Sequence, residues 1–133
     1  MGRRIVLVED EPNIIEAISF ILSRAGWEVT SHANGETALD AIRRTTPAAV
    51  LLDVMLPGRS GYDILRDLRA DPALGTVPVL MLTARGQKKD RELADALGVT
   101  RFMTKPFSNS DLLAALDEIA GAGPGGAVPA GRG

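Results

Sequence analysis

The chain has 133 residues, with 45% hydrophobic and 24% charged residues and a formal net charge of −2. That size and mixture suit one soluble globular domain with a sizeable core. The near-balance of 15 Lys+Arg against 17 Asp+Glu gives no electrostatic reason to expect nucleic-acid binding. With no cysteine and a single histidine, His32, the sequence excludes disulfides, thiol catalysis and Cys-based or His-rich metal centres, and disfavours a Ser-His-Asp triad. The first apolar run, Ile5–Val8, is too short for a signal-peptide core or a bilayer span. Val6 stands where an N-myristoylation pattern needs Ser or Thr. A cytoplasmic protein is the expectation.

In chain order, apolar runs of strand length alternate with segments of helical period. Arg4–Val8 is a β-branched run of the kind that is buried on both faces of a sheet. Pro12–Ala25 carries Ile14, Ile15, Ile18, Ile21 and Leu22 at helical spacing, and Gly26 stops it. Glu28–Ala33 is a more polar strand, expected at a sheet edge. Asn34-Gly35 opens a helix with Ala38, Leu39 and Ile42 inward, and Pro47 ends it. Ala48–Leu52 is the second fully apolar strand. Ser60 with Asp63 resembles a capping box before Ile64, Leu65 and Leu68, and Asp71-Pro72 breaks that helix. Val77–Leu82 is the next strand, with Pro78 near its start where a missing N–H is tolerated. Gly86–Leu97 predicts a helix with Leu93, Ala94 and Leu97 inward, closed by Gly98. Val99–Met103 is a fifth short strand. Ser108 with Asp111 caps a last helix striped by Leu112, Leu113, Leu116 and Ile119.

Five βα units in succession imply a doubly wound α/β fold, a parallel sheet with helices on both faces. From Gly121 the chain turns to glycine, proline and alanine, with six of its 14 glycines in the last stretch. The expected division is a folded domain over residues 1–120 and a disordered tail or linker over 121–133.

The chemistry lies where the strands stop. Glu9 and Asp10 follow the first strand, Asp53 the third, Thr83 ends the fourth and Lys105 follows the fifth. Parallel α/β sheets bind ligands outside these carboxyl ends, where the strand order reverses. With the first and third strands adjacent there, three carboxylates meet. At an effective dielectric of ~20, one such pair ~4 Å apart costs about 4 kcal/mol. A cation in the gap or a trapped proton relieves that repulsion. An all-oxygen set without histidine favours a hard divalent ion such as Mg²⁺. The Thr83 hydroxyl and the Lys105 ammonium are donors suited to phosphoryl oxygens. Metal, carboxylate nucleophile and two anion holders together equip a site for phosphoryl transfer to an aspartate.

Four segments, VEDEP (Val8–Pro12), LLDVMLPGRSG (Leu51–Gly61), MLTAR (Met81–Arg85) and TKPF (Thr104–Phe107), in this order and spacing, resemble the receiver domains of bacterial two-component response regulators. The resemblance covers about residues 3–120. It implies a flavodoxin-like, chemotaxis-regulator-like (βα)5 three-layer sandwich with parallel strand order 2-1-3-4-5. It implies Asp53 as phosphoacceptor and Mg²⁺, with Mn²⁺ able to substitute, on Asp10 directly, on Glu9 partly through water, on Asp53 and on the backbone carbonyl of Met55. Lys105 pairs with Asp53 at rest and meets the phosphoryl group afterwards; Thr83 and the backbone N–H of Ala84 hydrogen-bond that group. Phe102 matches the aromatic switch position, and the Lys105–Pro106 bond is expected to be cis. The implied function is a phosphorylation-activated signalling switch, limited catalytically to its own phosphorylation and dephosphorylation. Implied partners are a sensor histidine kinase or histidine phosphotransfer protein and a downstream protein or output domain, with no direct nucleic acid and no membrane. The implied state is a monomer or a weak phosphorylation-dependent dimer.

One departure stands out. Many relatives, above all winged-helix transcription regulators, carry two acidic residues just before the switch aromatic; here Thr100 and Arg101 stand there. The last helix also lacks the basic residues that pair with such acids, so the charged dimer face of that subclass is not implied. Other readings stay open: a fragment of a longer regulator or hybrid kinase, a docking module that is never phosphorylated, an aspartyl phosphohydrolase, or a flavodoxin-type cofactor binder. The hydrolase signature puts a second acid two residues after the nucleophile, where Met55 stands. A flavin binder needs a Gly/Ser/Thr-rich first loop, and EDEP instead repels anions. His32 receives no role, Trp27 reads as packing at a helix–strand corner, and Lys88, Lys89 and Arg91 read as a solvated helix face.

Overall fold

The computed structural model describes residues 3–84 and 87–121. The elements are β1 (Arg3–Val8), α1 (Pro12–Arg24), β2 (Trp27–His32), α2 (Gly35–Thr45), β3 (Ala49–Asp53), α3 (Gly61–Ala70), β4 (Val79–Thr83), α4 (Lys88–Ala96), β5 (Arg101–Thr104) and α5 (Asn109–Gly121). The five strands form one parallel sheet in the order β2-β1-β3-β4-β5. This is the doubly wound, flavodoxin-like (βα)5 architecture that the alternation and the resemblance imply. The helix start expected at Gly86 and residues 122–133 of the tail expected from Gly121 lie outside the described residues, while Gly121 itself ends α5. Among the described residues no helix is long and apolar enough to cross a membrane.

The period of two divides the core. Val6, Val8, Val50, Leu52, Val79 and Met81 point to one face, where Ala38, Ile42, Ile64, Leu65, Leu68 and Ala94 of α2, α3 and α4 cover them. Ile5, Leu7, Ala49, Leu51, Leu80 and Leu82 point to the other, under Ile18 and Leu22 of α1 and Leu112, Ala115, Leu116 and Ile119 of α5. Burial on both faces explains why β1, β3 and β4 read as unbroken apolar runs. β2 is one of the two edge strands, as its polar sequence predicts.

The helix starts follow their caps. Asn34 Oδ1 accepts from Glu36 N at 2.6 Å, Ser60 Oγ from Asp63 N at 3.2 Å and Ser108 Oγ from Asp111 N at 3.0 Å. Gly26 (φ 97°) and Gly98 (φ 91°) take the left-handed conformation that ends α1 and α4. Trp27 opens β2 and is 3% exposed at the α1–β2 corner, with its indole Nε1 unpartnered. The Arg3 guanidinium lies 4.1 Å from its ring centroid and reaches Asp117 Oδ1 on α5 at 2.6 Å.

Strand ends shift by one residue in places, so that Asp53 is the last residue of β3 rather than the first after it, and three larger details differ from the sequence reading. Leu93 points outward, 45% exposed, because the inward row of α4 is Asp90, Ala94 and Leu97, and Leu93 sits about 100° from Ala94 around the axis. β4 begins at Val79 rather than Val77, because the Val77 N–H turns back to Leu74 O at 3.1 Å. β5 begins at Arg101 rather than Val99, because Val99 and Thr100 close the α4–β5 turn: Val99 N donates to Ala94 O at 3.0 Å and Thr100 N to Val79 O at 3.1 Å.

Arg69, at the end of α3, ties that turn to the sheet. Its guanidinium donates to Gly98 O at 2.8 Å, Val77 O at 2.7 Å, Gly75 O at 3.3 Å and Thr100 Oγ1 at 3.3 Å. Thr100 Oγ1 in turn accepts from Val79 N at 2.9 Å. Arg69→Met keeps the aliphatic stem but leaves these carbonyls without the donor. It is expected to lower unfolding free energy by about 2 kcal/mol in urea melts, with Arg69→Lys falling between it and wild type.

Candidate functional site

Backbone ladders carry the reactive residues to one rim. Just past the strand ends, Glu9 N donates to His32 O at 3.0 Å, Val54 N to Leu82 O at 3.1 Å and Lys105 N to Thr83 O at 2.8 Å. These bonds prolong the parallel pairing by one residue and set Glu9, Asp53, Thr83 and Lys105 side by side. His32 takes part only through its backbone.

Glu9 and Asp53 are buried, 2% and 6% exposed, while Asp10 is exposed. One carboxylate oxygen from each of the three lies within 4.8 Å of the others. Lys105 Nζ stands 3.5 Å from Glu9 Oε1 and 3.6 Å from Asp53 Oδ1, one ammonium shared by two buried acids. Glu9 Oε2 accepts from Glu11 N at 3.2 Å, but Oε1 has no hydrogen-bond partner. Burial holds the Asp53 carboxyl above its ordinary pKa, against the opposing pull of Lys105 and the Met55 and Val54 N–H groups. Burial, and then the Asp53 charge, hold Glu9 above its ordinary value as well.

The donor set fits a hard divalent cation. It consists of oxygens only, carries more negative charge than Lys105 neutralises, and includes a buried oxygen lacking a hydrogen bond. Met55 follows on the β3–α3 loop and is 63% exposed. Thr83 is buried at the end of β4 and Ala84 is exposed after it. Phe102 is half-buried on β5, two residues before Thr104, the register partner of Thr83. The Lys105–Pro106 bond is cis, as the resemblance implies. All eight residues singled out from the sequence thus lie at this rim or on the strands that lead to it.

Two contributions escape motif reading. A Cβ on Gly61 would lie 2.3 Å from Asp53 O and 3.0 Å from Val54 Cα, and Gly61 N donates to Val54 O at 2.9 Å. The loop over residues 54–60 therefore closes only on a glycine at the first position of α3. Its visible signal is a glycine directly after a capping serine, where helix propensity alone disfavours one. The second is Arg91, whose guanidinium lies over the Phe102 ring, 5.1 Å from the centroid; no sequence pattern marks it. At the subclass position, Arg101 pairs with Glu118 of α5, basic on β5 and acidic on α5.

Both raised carboxyls bind protons more tightly in the folded chain than in the unfolded one. Their contribution to stability without divalent cations is therefore fully present below their ordinary values, about pH 4, and is lost as pH rises through the folded ones. Asp53→Asn in chelator is expected to be more stable than wild type by about 1 kcal/mol at neutral pH, an advantage that shrinks on acidification, read by urea unfolding across pH. Gly61→Ala is expected to cost about 1–3 kcal/mol in the same assay.

Residues 5–117 match the Response regulator receiver domain family. Phosphate regulon transcriptional regulatory protein PhoB of Escherichia coli (strain K12) is 36% identical over 119 residues, covering 90% of this chain and 52% of its own length. The chain spans about half the length of the curated relatives it matches. Among solved structures, the receiver domain of sensor histidine kinase PA1611 from Pseudomonas aeruginosa PAO1, with a magnesium ion coordinated in its active-site cleft, superposes with a TM-score of 0.85 at 34% identity, covering 92% of this chain and 100% of that one. The BeF3-activated N-terminal receiver domain of RstA from Klebsiella pneumoniae gives 0.81 at 31% identity, covering 88% and 97%. With most of its length matched and the strand order that the resemblance implies, the chain belongs to the response regulator receiver domain family.

Proposed function

We propose that the chain is a phosphorylation-controlled signalling switch that takes a phosphoryl group onto Asp53. The observation that carries this reading is the placement of Lys105 Nζ 3.6 Å from Asp53 Oδ1 and 3.5 Å from Glu9 Oε1, within an oxygen cluster able to hold a cation. Glu9, Asp10, Asp53 and the Met55 carbonyl would hold Mg²⁺, or Mn²⁺ in its place. When bound, the cation would screen the carboxylates from an incoming phosphoryl group.

A carboxylate oxygen of Asp53 forms the new O–P bond while the donor's P–N bond breaks, and the leaving imidazole keeps the electron pair. The donor in this reading is a phosphohistidine on a sensor kinase or phosphotransfer protein. Lys105 holds the developing negative charge, and Thr83 and the Ala84 N–H take the other phosphoryl oxygens. Attack by water later returns the carboxylate and releases phosphate. No external substrate is turned over, so the chain works as a switch and not as an enzyme. Drawing Thr83 toward the phosphoryl group vacates space beside β4, into which Phe102, on the same face of β5, turns. Shifting a population from 1:99 to 99:1 takes about 5.5 kcal/mol, which two to four charge-assisted hydrogen bonds of roughly 1.5–3 kcal/mol supply.

The output is carried by the surface of α4, β5 and α5, toward a downstream protein or an output domain such as the curated relatives' extra length accommodates. The reading places the chain in the cytoplasm as a monomer or weak phosphorylation-dependent dimer, without direct nucleic-acid contact.

Incubation with a small phosphodonor and Mg²⁺ is expected to add one phosphoryl group by intact-mass spectrometry, and none when chelator is present. Asp53→Asn is expected to abolish the addition and Lys105→Met to destabilise or slow it. Undiminished incorporation in the Asn variant overturns the acceptor assignment; sustained turnover of a small phosphate ester by the wild-type chain with Mg²⁺, lost in the Asn variant, points to an aspartyl phosphohydrolase instead.

A further inference from the structure

Arg91 is exposed on α4, and among the described residues it enters no ion pair. Acids stand next to it in sequence, Asp90 and Glu92, yet its guanidinium lies over the Phe102 ring at 5.1 Å. The ring itself rests against the α2–α3–α4 core and shares its face of the sheet with Thr83: Met81 pairs with Phe102 and Thr83 with Thr104. An inward turn of Phe102 would carry the ring away from the guanidinium's position in this structure.

We infer that Arg91 is a positioning residue that latches Phe102 in the resting state and so sets how readily the Asp53 site drives the output surface. The inference rests on the reading of Asp53 as phosphoacceptor and adds to it the residue that tunes the resting balance. A cation over an aromatic face at an exposed site is worth a small stabilisation, of the size that shifts a two-state equilibrium about two- to fivefold. In this inference the stack is made in the resting arrangement and given up in the other, so that its loss lowers the work needed to reach the other one. Ligands that favour that other arrangement then bind more tightly by the same factor.

The test uses the whole chain with fluorine-labelled phenylalanine. There are three phenylalanines, Phe20, Phe102 and Phe107, and Phe102→Leu assigns the resonance of interest. Arg91→Ala and Arg91→Met are expected to shift the Phe102 resonance in the metal-free protein. They are also expected to tighten binding of beryllofluoride with Mg²⁺, a stand-in for the phosphoryl group, about two- to fivefold. Arg91→Lys, which keeps the charge, is expected to stay nearer wild type in both readouts. The inference is overturned if the Ala and Met variants bind beryllofluoride as wild type does or more weakly, or if the resonance moves while affinity does not. Failure of the underlying reading shows separately: beryllofluoride then fails to bind wild type or binds the Asp53→Asn variant equally well, and the inference falls with it.

Discussion

One shared cation governs the molecule's chemistry. Lys105 faces two buried carboxylates, Glu9 and Asp53, with Asp10 beside them. A single ammonium cannot neutralise that much negative charge when two of the carboxylates, Glu9 and Asp53, are buried. The rim of the sheet is thus held in an electrostatically unfinished state. The core supports this because β1 and β3, which carry the acids, are buried along most of their length and cannot drift apart to relieve it. Such crowding leaves a place where the arrival of a cation would relieve the repulsion. Under the proposed function, that unrelieved repulsion is what lets the site act as a switch.

Precision at the rim comes from backbone rather than from side chains. The ladder bonds of Glu9, Val54 and Lys105 fix the heights of three strand ends relative to one another. The loop after Asp53 is then trapped between two helix starts. Gly61 packs against the Asp53 carbonyl, and Gly35 N reaches Pro57 O at 3.4 Å. A Cβ on Gly61 would meet the Asp53 carbonyl and one on Gly35 would lie 2.7 Å from Arg59 O, so the loop that would supply the Met55 carbonyl is shaped by glycines on two separate helices. At the far side of the sheet, Arg69 plays the matching part for the turn into β5, so that β5 enters the sheet from a fixed point while its other end meets the site.

The fold was legible because parallel strands buried on both faces leave uninterrupted apolar runs such as Val6–Val8 and Val50–Leu52, and because Asn34, Ser60 and Ser108 mark helix starts that local hydrogen bonding enforces. The acidic rim was legible for a topological reason: residues directly after successive parallel strands must share one edge. What stayed hidden depends on rotation and on contacts between elements distant in sequence. The facing of α4 could not be read from Leu93, Ala94 and Leu97 alone, since a short helix with few apolar residues can turn by a third of a circle at little cost. The stack of Arg91 on Phe102 and the fourfold grip of Arg69 join segments whose separation no periodicity records. Gly61 was quoted within a motif, but its role follows only from a carbonyl eight residues earlier in the chain.

Trp27 sits at the opposite end of the sheet from the acids. β1 has six residues, and Trp27 is the register partner of its first, Arg3, whereas Glu9 follows its last. At about 3.3 Å per strand residue, the indole is roughly 20 Å from the carboxylates. As the sole tryptophan, sandwiched between core and guanidinium, it makes intrinsic emission a gauge of whether the α1–β2 corner is intact. Optical detection of events at the acidic rim therefore calls for a dye or an indole placed there.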